Sequence, residues 1–314
     1  MHSCPPPSKA INNWLRQYPS EEGNYGHLLL EQKQDIDAKL VGDLVPYFES
    51  AHTDAREYFC AQIGIDLHPD ADENDEAAYL YPGCLPKSAI HGLFGGVMAG
   101  MLTEHYKYIG DHNWSVPVFL FRYHDDAEKY LFDLSRNAAR TRQVFGRFGS
   151  DFLGLCIDDG YVTRFIVGEA KWRGKLNQST IDKLMLGDWE VDENTGAKVR
   201  SGKGVWFEMN RDTPAPHGLR QLQQILKERE PQIYSNAIAS LDRVLMLRNP
   251  ESLSRTNLVL IAGNDVPTRE EAHSLIPWDV KPPEYAVPHD LQVVELVLNN
   301  GESLIREIYD LLWE

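Results

Sequence analysis

The spacing of apolar and polar residues divides the chain into an ordered series of helices and strands. Apolar residues at helical spacing over 33–48 and 53–62 predict a helical region near the N-terminus, which an acidic, proline-containing loop at 67–86 closes. Over 90–108, apolar residues recur at three- and four-residue steps, which predicts an amphipathic helix with one side on a core. The opposite side would let another backbone approach closely, because its residues are small. These small residues are Gly92, Gly95, Gly96, Ala99, Gly100 and Thr103.

The middle of the chain predicts strands on either side of a helix. The β-branched and aromatic run at 116–123 predicts a strand, and 125–142 predicts a helix with basic residues in its last turns. Two further strands, 152–157 and 161–172, are joined by a tight turn at 158–160 (Asp-Asp-Gly). These two strands should therefore form a hairpin.

Helices and strands also alternate in the last third of the chain. A helix over 177–186 precedes a hairpin that pairs 189–191 with the residues after Ala197. The remaining predicted elements are helices at 217–229, 231–241 and 302–313 and strands at 244–247, 258–262 and 291–298. Together they predict an α/β protein with three segments. These are an N-terminal helical and acidic accessory region (1–87), a core (88–265) and a C-terminal strand–helix extension (266–314).

Composition excludes several classes of protein. With 42% hydrophobic and 25% charged residues over 314 positions, the chain is neither disordered nor fibrous and is long enough for one large core. The longest apolar run, 94–102, is far shorter than the roughly 18 residues of a bilayer span, so we expect no membrane partner. The N-terminus lacks the pattern of a secretory signal, which predicts a cytoplasmic protein. Four cysteines without a Cys-x-x-Cys pair argue against a zinc ribbon or a disulfide scaffold.

Charge is distributed unevenly along the chain. Lysine and arginine number 31 and the acids 47, and the net charge of −16 by itself lowers the expectation of a nucleic acid partner. Residues 136–175 are the exception, with eight basic and four acidic residues, whereas the remainder has 23 basic and 43 acidic ones. A basic stretch within an acidic chain is compatible with nucleic acid contact at one place.

Three charged residues at the mouth of the central hairpin form the candidate site. Glu169 and Lys171 are two positions apart on a predicted strand, so their side chains leave the same face. Asp151 opens the preceding strand, and the turn at 158–160 folds the hairpin so that Asp151 and Glu169 lie side by side. Charges within an otherwise apolar strand are costly to bury unless they have a partner or a metal ion.

The residue types at this site suit phosphodiester hydrolysis. Two carboxylates are ligands that a hard divalent cation such as Mg²⁺ or Mn²⁺ accepts, and the backbone carbonyl of Ala170 is a candidate third ligand. Lys171 could orient or help to deprotonate the attacking water and offset the charge that builds on the phosphoryl group. The bare pattern is short, however, and a structural ion pair between Glu169 and Lys171 stays open as an alternative.

The motifs around these residues resemble those of a known nuclease superfamily. The chain has a helix, a strand with 147–151 (Arg-Phe-Gly-Ser-Asp), a hairpin, a strand with 167–171 (Val-Gly-Glu-Ala-Lys), and another helix. This order resembles the PD-(D/E)xK, or restriction-endonuclease-like, fold, and looks most like the nuclease subunit of Hachiman-type bacterial anti-phage systems. The resemblance covers about residues 90–190. It implies that 88–265 forms a nuclease core, with a central mixed sheet flanked by helices.

The resemblance also implies roles for particular residues. Asp151 and Glu169 would bind the metal, Mg²⁺ or Mn²⁺, and Lys171 would be the catalytic lysine. Members often carry a glutamate early in the helix that packs across the sheet, but the comparable place at 95–96 holds two glycines, and Glu104 is the candidate substitute. The implied activity is that of a metal-dependent DNA endonuclease in anti-phage defence, working with a helicase or sensor subunit as a homo- or hetero-oligomer.

Other residues near the motif are candidates for DNA contact. They are Arg142, Arg147, Arg173, Lys175 and Gln178. The chain has no Gly-x-x-x-x-Gly-Lys-Ser/Thr loop, so a nucleotide-driven motor would have to come from another subunit. Two alternatives stay open. One is a nuclease-like subunit that is catalytically silent and binds DNA or partner proteins, and the other is a globular interaction protein whose motif is coincidental.

Overall fold

A seven-stranded sheet of mixed direction forms the centre of the computed structural model, which describes residues 1–66, 81–82, 85–123, 151–192, 195–211, 216, 218–246 and 253–313. The strands are β1 (Leu15–Glu22), β2 (Tyr25–Gln32), β3 (Trp114–Ser115), β4 (Phe152–Asp158), β5 (Tyr161–Arg173), β6 (Trp189–Val191), β7 (Lys198–Arg200), β8 (Ser254–Asn264) and β9 (Asp290–Leu298). The sheet has the order β1-β2-β9-β8-β5-β4-β3, while β6 and β7 form a separate hairpin. Its four central strands, β2, β9, β8 and β5, are parallel, and the strands at both edges are antiparallel to their neighbours.

Helices cover both faces of this sheet. They are α1 (Ser8–Trp14), α2 (Ala38–Asp66), α3 (Lys87–Tyr106), α4 (Gln178–Leu186), α5 (Val205–Met209), α6 (Leu219–Arg229), α7 (Ser235–Met246) and α8 (Gly301–Asp310). On one face, α2, α3 and α8 pack with Ile166 and Ala170 of β5. On the other face, α6 and α7 pack with Phe165 and Val167, and α4 and α5 pack with Val259 of β8. The predicted α/β class, a mixed sheet flanked by helices, is confirmed.

Burial on both faces explains the composition of the central strands. Strand β9 is buried at every position after Asp290, and β8 is buried from Thr256 to Gly263. Near-continuous apolar runs of this kind are typical of parallel strands that are covered on both sides. Within the described ranges, none of the helices combines the length and the apolar character needed to cross a lipid bilayer.

Several predicted elements differ from the observed ones. The N-terminal region contains β1 and β2 in addition to helices, and the two helices predicted at 33–48 and 53–62 are one helix, α2, with Pro46 inside it. In the predicted strand at 116–123 only a turn of 3₁₀-helix at 121–123 is regular, and 244–246 ends α7 instead of forming a strand. Short apolar runs fit either a strand or a helix, so a run of a few residues does not by itself distinguish the two. The helix predicted at 125–142 lies outside the described residues.

The three predicted segments contribute to the same sheet. Segment 1–87 supplies β1 and β2, segment 88–265 supplies β3, β4, β5 and β8, and segment 266–314 supplies β9. Strand β9 lies between β2 and β8, so the C-terminal segment joins the other two through backbone hydrogen bonds. Whether 88–265 folds as a separate core stays a prediction.

Candidate functional site

The β4–β5 hairpin brings Asp151 and Glu169 to the same end of the sheet. Its turn has positive φ angles at both Asp159 (47°) and Gly160 (82°), the backbone of a two-residue hairpin turn. Phe152 pairs with Gly168 in the resulting register, so Asp151, which directly precedes β4, lies opposite Glu169. The side-by-side arrangement predicted from the spacing is thus observed.

The charged side chains occupy one face of β5 and helix α3 the other. Glu169 and Lys171 follow Phe165 and Val167 at two-residue steps, so they extend the face that α6 and α7 cover further back. On the reverse face a Cβ on Gly95 of α3 would lie 3.3 Å from the Cβ of Ala170. The small residues of α3 therefore allow the helix to cross the hairpin directly behind the site.

Asp151, Glu169 and Lys171 form a hydrogen-bonded ionic cluster. The Ala170 backbone N–H donates to Asp151 Oδ2 (3.1 Å), and Lys171 Nζ lies 3.5 Å from the same oxygen. Lys171 Nζ also pairs with Glu169 Oε1. The side chains of Asp151, Glu169 and Lys171 are 28%, 13% and 31% exposed, respectively. The cluster is thus partly desolvated and still open to an approaching ligand.

The two carboxylates keep the lysine charged. Burial lowers the pKa of Lys171, but the negative charges of Asp151 and Glu169 outweigh it and raise the pKa above its ordinary value. Lys171 is therefore an ammonium ion at neutral pH in this arrangement. It acts here as a cation between two carboxylates and has no free electron pair with which to accept a proton.

Two side chains of the cluster are carboxylates of the type that binds a divalent cation. Asp151 and Glu169 supply carboxylate oxygens on the same face, and the N–H of Ala170 points towards Asp151. In an antiparallel pair the carbonyl of a residue points to the same edge as its N–H, so the Ala170 carbonyl also faces this end of the hairpin. Mg²⁺ typically takes one or two carboxylates and completes its octahedron with water and phosphate oxygens. In the described part of the chain, no three histidine, cysteine or acidic side chains are grouped so that they could hold a metal ion.

The structure does not bring Glu104 to this cluster. Gly96 of α3 lies near the carbonyl oxygen of Asp151, where a Cβ would be 3.5 Å away, and Glu104 is eight residues further along, about 12 Å at 1.5 Å per residue. Its carboxylate accepts hydrogen bonds from the Tyr47 hydroxyl (2.7 Å) and the Val116 N–H (2.8 Å). Glu104 therefore ties α3 to α2 and to the segment after β3.

The residues predicted to contact DNA differ in their exposure and in their hydrogen bonds. Arg173, two residues beyond Lys171 on β5, donates to the carbonyl of Trp172 (2.8 Å), and burial lowers its pKa. Lys175 is exposed, whereas the amide of Gln178 is engaged with Asp182 and with the carbonyl of Leu275. Arg142 and Arg147 lie outside the described residues.

A polar groove of about 490 Å³ begins at Arg173. Ser179, Thr180 and Lys183 of α4 line one side of it. The base of the β6–β7 hairpin lines the other side, with Glu190 and Lys203. Sequence reasoning missed Lys203, because it is more than thirty positions from the motif and reaches the groove only through the return of the hairpin.

No protein-family model matches this chain, and the curated proteins contain no match to its sequence either. The resemblance to PD-(D/E)xK nucleases and to the Hachiman nuclease subunit therefore stays a prediction.

Proposed function

We propose that the protein is a metal-dependent nuclease that hydrolyses phosphodiester bonds in DNA, with Mg²⁺ or Mn²⁺ as its cofactor and a restriction-endonuclease-like core. The arrangement of Asp151, Glu169 and Lys171 is the main support for this proposal. The hairpin register sets Asp151 opposite Glu169 and places Lys171 against both carboxylates, at a partly exposed strand end. Two acids and a lysine in this arrangement match the chemistry that the sequence predicted.

Each residue of the cluster has a distinct part in this proposal. Asp151 and Glu169 would hold the divalent cation together with the carbonyl of Ala170. When bound, such a cation polarises a phosphoryl oxygen and activates water as a nucleophile. Lys171, protonated and adjacent, would offset the negative charge that develops on the phosphoryl group and orient the attacking water by donating a hydrogen bond.

The biological setting is part of the proposal. The resemblance of 147–151 and 167–171 to the Hachiman nuclease subunit favours a role in bacterial anti-phage defence, together with a helicase or sensor subunit. The net charge of −16 supports such an assembly, because an acidic surface repels the DNA backbone at long range and favours docking to a basic partner.

Plasmid nicking tests the proposed activity. The wild-type protein should nick supercoiled DNA with added Mg²⁺ or Mn²⁺ and should not do so in EDTA. Glu169→Ala and Lys171→Ala should lower cutting at least about 100-fold, because the first removes a ligand of the proposed metal ion and the second a cation that offsets the charge developing on the phosphoryl group. Equal cutting by the three proteins would contradict the assignment.

A catalytically silent subunit that binds DNA or a partner protein is the second candidate. The observation that favours it is the ion pairing of Lys171 with both acids, which offsets one of the two negative charges of the cluster from within the protein. Calorimetric titration with Mg²⁺ distinguishes the two functions. A nuclease should show binding that Asp151→Ala abolishes, whereas a silent subunit need not bind the cation at this place.

A further inference from the structure

The β6–β7 hairpin has one face made of apolar and cationic side chains. Trp189 pairs with Arg200 and Val191 with Lys198, so these four residues lie on the same side of the two strands. Trp189 is 60% exposed and Val191 61% exposed, so most of their apolar surface is in contact with solvent. Glu190 lies on the opposite side, paired with Val199.

The side chain of Arg200 packs against the indole ring of Trp189. The guanidinium of Arg200 lies 4.2 Å from the centre of the indole ring and donates to the Gly187 carbonyl (3.2 Å). Arg200 also approaches Asp182 of α4 at 3.8 Å. These contacts fix the arginine that supports the ring, so the indole is presented to solvent in a preorganised position. An aromatic ring that is ordered before binding loses less conformational entropy when a ligand stacks on it.

The hairpin shares a polar groove with Arg173, which follows the candidate site on β5. Arg173 lies two residues beyond Lys171 on the same face of β5, a separation of about 6–7 Å along a strand. The polar groove is lined by Arg173, by residues of α4 and by Glu190, which lies on the side of the hairpin opposite Trp189. In this groove Lys183 pairs with Asp188 (2.7 Å) and Lys203 with Glu190 (3.4 Å).

We propose that the Trp189 face of the hairpin binds an unpaired segment of the nucleic acid, with one base stacked on the indole and the backbone next to Lys198 and Arg200. This inference rests on the proposed nuclease function. Aromatic rings with neighbouring cations are the usual platform for single strands, because every base offers a flat surface and every linkage a negative charge. The Trp189 face carries an aromatic ring and two neighbouring cations.

The size of the face favours a nucleotide over a protein. Strands β6 and β7 have three residues each. A standard protein interface buries about 800 Å² on each partner, which a face of four side chains does not provide. One stacked base and one or two phosphates match its dimensions and its positive charge.

Binding measured without cleavage tests the inference. Fluorescence anisotropy of a labelled single-stranded DNA and of the matching blunt duplex is recorded in EDTA, so that the readout does not depend on catalysis. Trp189→Ala should weaken binding of the single strand by about five- to a hundred-fold, the loss expected for one stacked base. Trp189→Phe should retain most of the affinity, because the ring remains.

Trp278 provides the matched control. It is 56% exposed, lies outside the hairpin, and its carbonyl accepts a hydrogen bond from Ser20 of β1. Trp278→Ala should leave the affinity for single-stranded DNA unchanged, and circular dichroism should show that both alanine variants fold.

Each outcome decides the inference. Equal affinity of wild type and Trp189→Ala for the single strand, or no binding of the single strand by the wild type, would overturn it and leave a protein as the occupant of the face. Equal losses with Trp189→Ala and Trp278→Ala would also overturn it. Failure of the nuclease function is separate, since that would appear as unchanged nicking by Glu169→Ala with the effect of Trp189→Ala intact.

Discussion

Lys171 is the residue on which the proposed chemistry of the site depends most directly. It lies between the carboxylates of Asp151 and Glu169, which would repel each other across the mouth of the hairpin without it. A divalent cation at the same two carboxylates would meet the ammonium as a competitor, because both are attracted by the same oxygens. Under the proposed function, we therefore expect the lysine to weaken metal binding while it contributes to catalysis.

Replacing Lys171 with a neutral residue of similar length tests this competition. Lys171→Met should bind Mg²⁺ up to about fivefold more tightly than wild type in calorimetry, since one opposing charge pair is worth up to about 1 kcal/mol at a solvated site. Cleavage should nevertheless be lost. Lys175→Met removes the same charge from the exposed turn after β5 and should leave the affinity for Mg²⁺ nearly unchanged. Weaker binding by Lys171→Met would show that the lysine supports the metal site instead of opposing it.

The site was predictable from sequence only where local rules apply. Glu169 and Lys171 share a face because strands have a period of two, and the turn at 158–160 fixes the position of Asp151. Glu104 could not be excluded in this way, because its distance from the cluster depends on how α3 crosses the hairpin, which is a tertiary property. Lys203 had no local signal at all.

Among the secondary-structure elements, the end of β8 fixes the turn that follows the candidate strand. Gly263 pairs with Arg173, and Leu176 donates its N–H to the carbonyl of Asn264 (2.8 Å). A Cβ on Gly263 would lie 2.1 Å from the carbonyl oxygen of Arg173, far inside van der Waals contact. Only glycine permits β8 to approach the chain this closely without a backbone shift.

Gly263→Ala should therefore destabilise the protein. We expect the free energy of unfolding in urea to fall by about 1–3 kcal/mol, the usual cost of overpacking that forces a backbone to move. Gly42→Ala is the matched control, because Gly42 is an exposed residue of α2 and a Cβ added to it would have no heavy atom within 4 Å. Gly42→Ala should raise the free energy of unfolding by about 1 kcal/mol, because alanine has a higher helix propensity than glycine. Equal stability of Gly263→Ala and wild type would refute the close approach.

Elements with a regular pattern were predicted well and those with short patterns were not. Helix α3 and the hairpin β4–β5 appear within a few residues of their predicted limits, because their periodicity is sustained over many residues. Strands β1 and β2 were missed because β1 is mostly polar and exposed and the three leucines of β2 are too few to define a period. The pairing of β2 with β9, more than 250 positions away, supplies the stability that local sequence does not show.

At the scale of the whole molecule, His52 joins distant parts of the chain. Its ring is fully buried in α2, and its two nitrogens lie 3.0 Å and 3.2 Å from the hydroxyls of Tyr81 and Tyr309. Burial lowers the pKa of His52 to about 3, against an ordinary value of 6.5. The folded protein thus holds this histidine neutral, whereas the unfolded chain binds a proton below pH 6.5.

The stability that depends on neutral His52 should be complete above pH 6.5 and should be lost as the pH falls towards 3. Within that window this group should lower the free energy of unfolding by up to about 1.4 kcal/mol per pH unit. Urea unfolding at a series of pH values measures the slope, and His52→Gln, which keeps a hydrogen-bonding side chain, should give a shallower one. If the free energy of unfolding had the same pH dependence in wild type and His52→Gln, that dependence could not be assigned to His52.

The central claim is that Asp151, Glu169 and Lys171 together hydrolyse a phosphodiester. The most direct measurement is the rate of plasmid nicking in Mg²⁺ by wild type, Glu169→Gln and Glu22→Gln. Glu169→Gln removes one charge without changing size, and Glu22→Gln makes the same change on exposed β1, at the opposite edge of the sheet. We predict a rate at least about 100-fold lower for Glu169→Gln and an unchanged rate for Glu22→Gln. Equal rates for all three proteins, or no Mg²⁺-dependent nicking by the wild type, would contradict the claim.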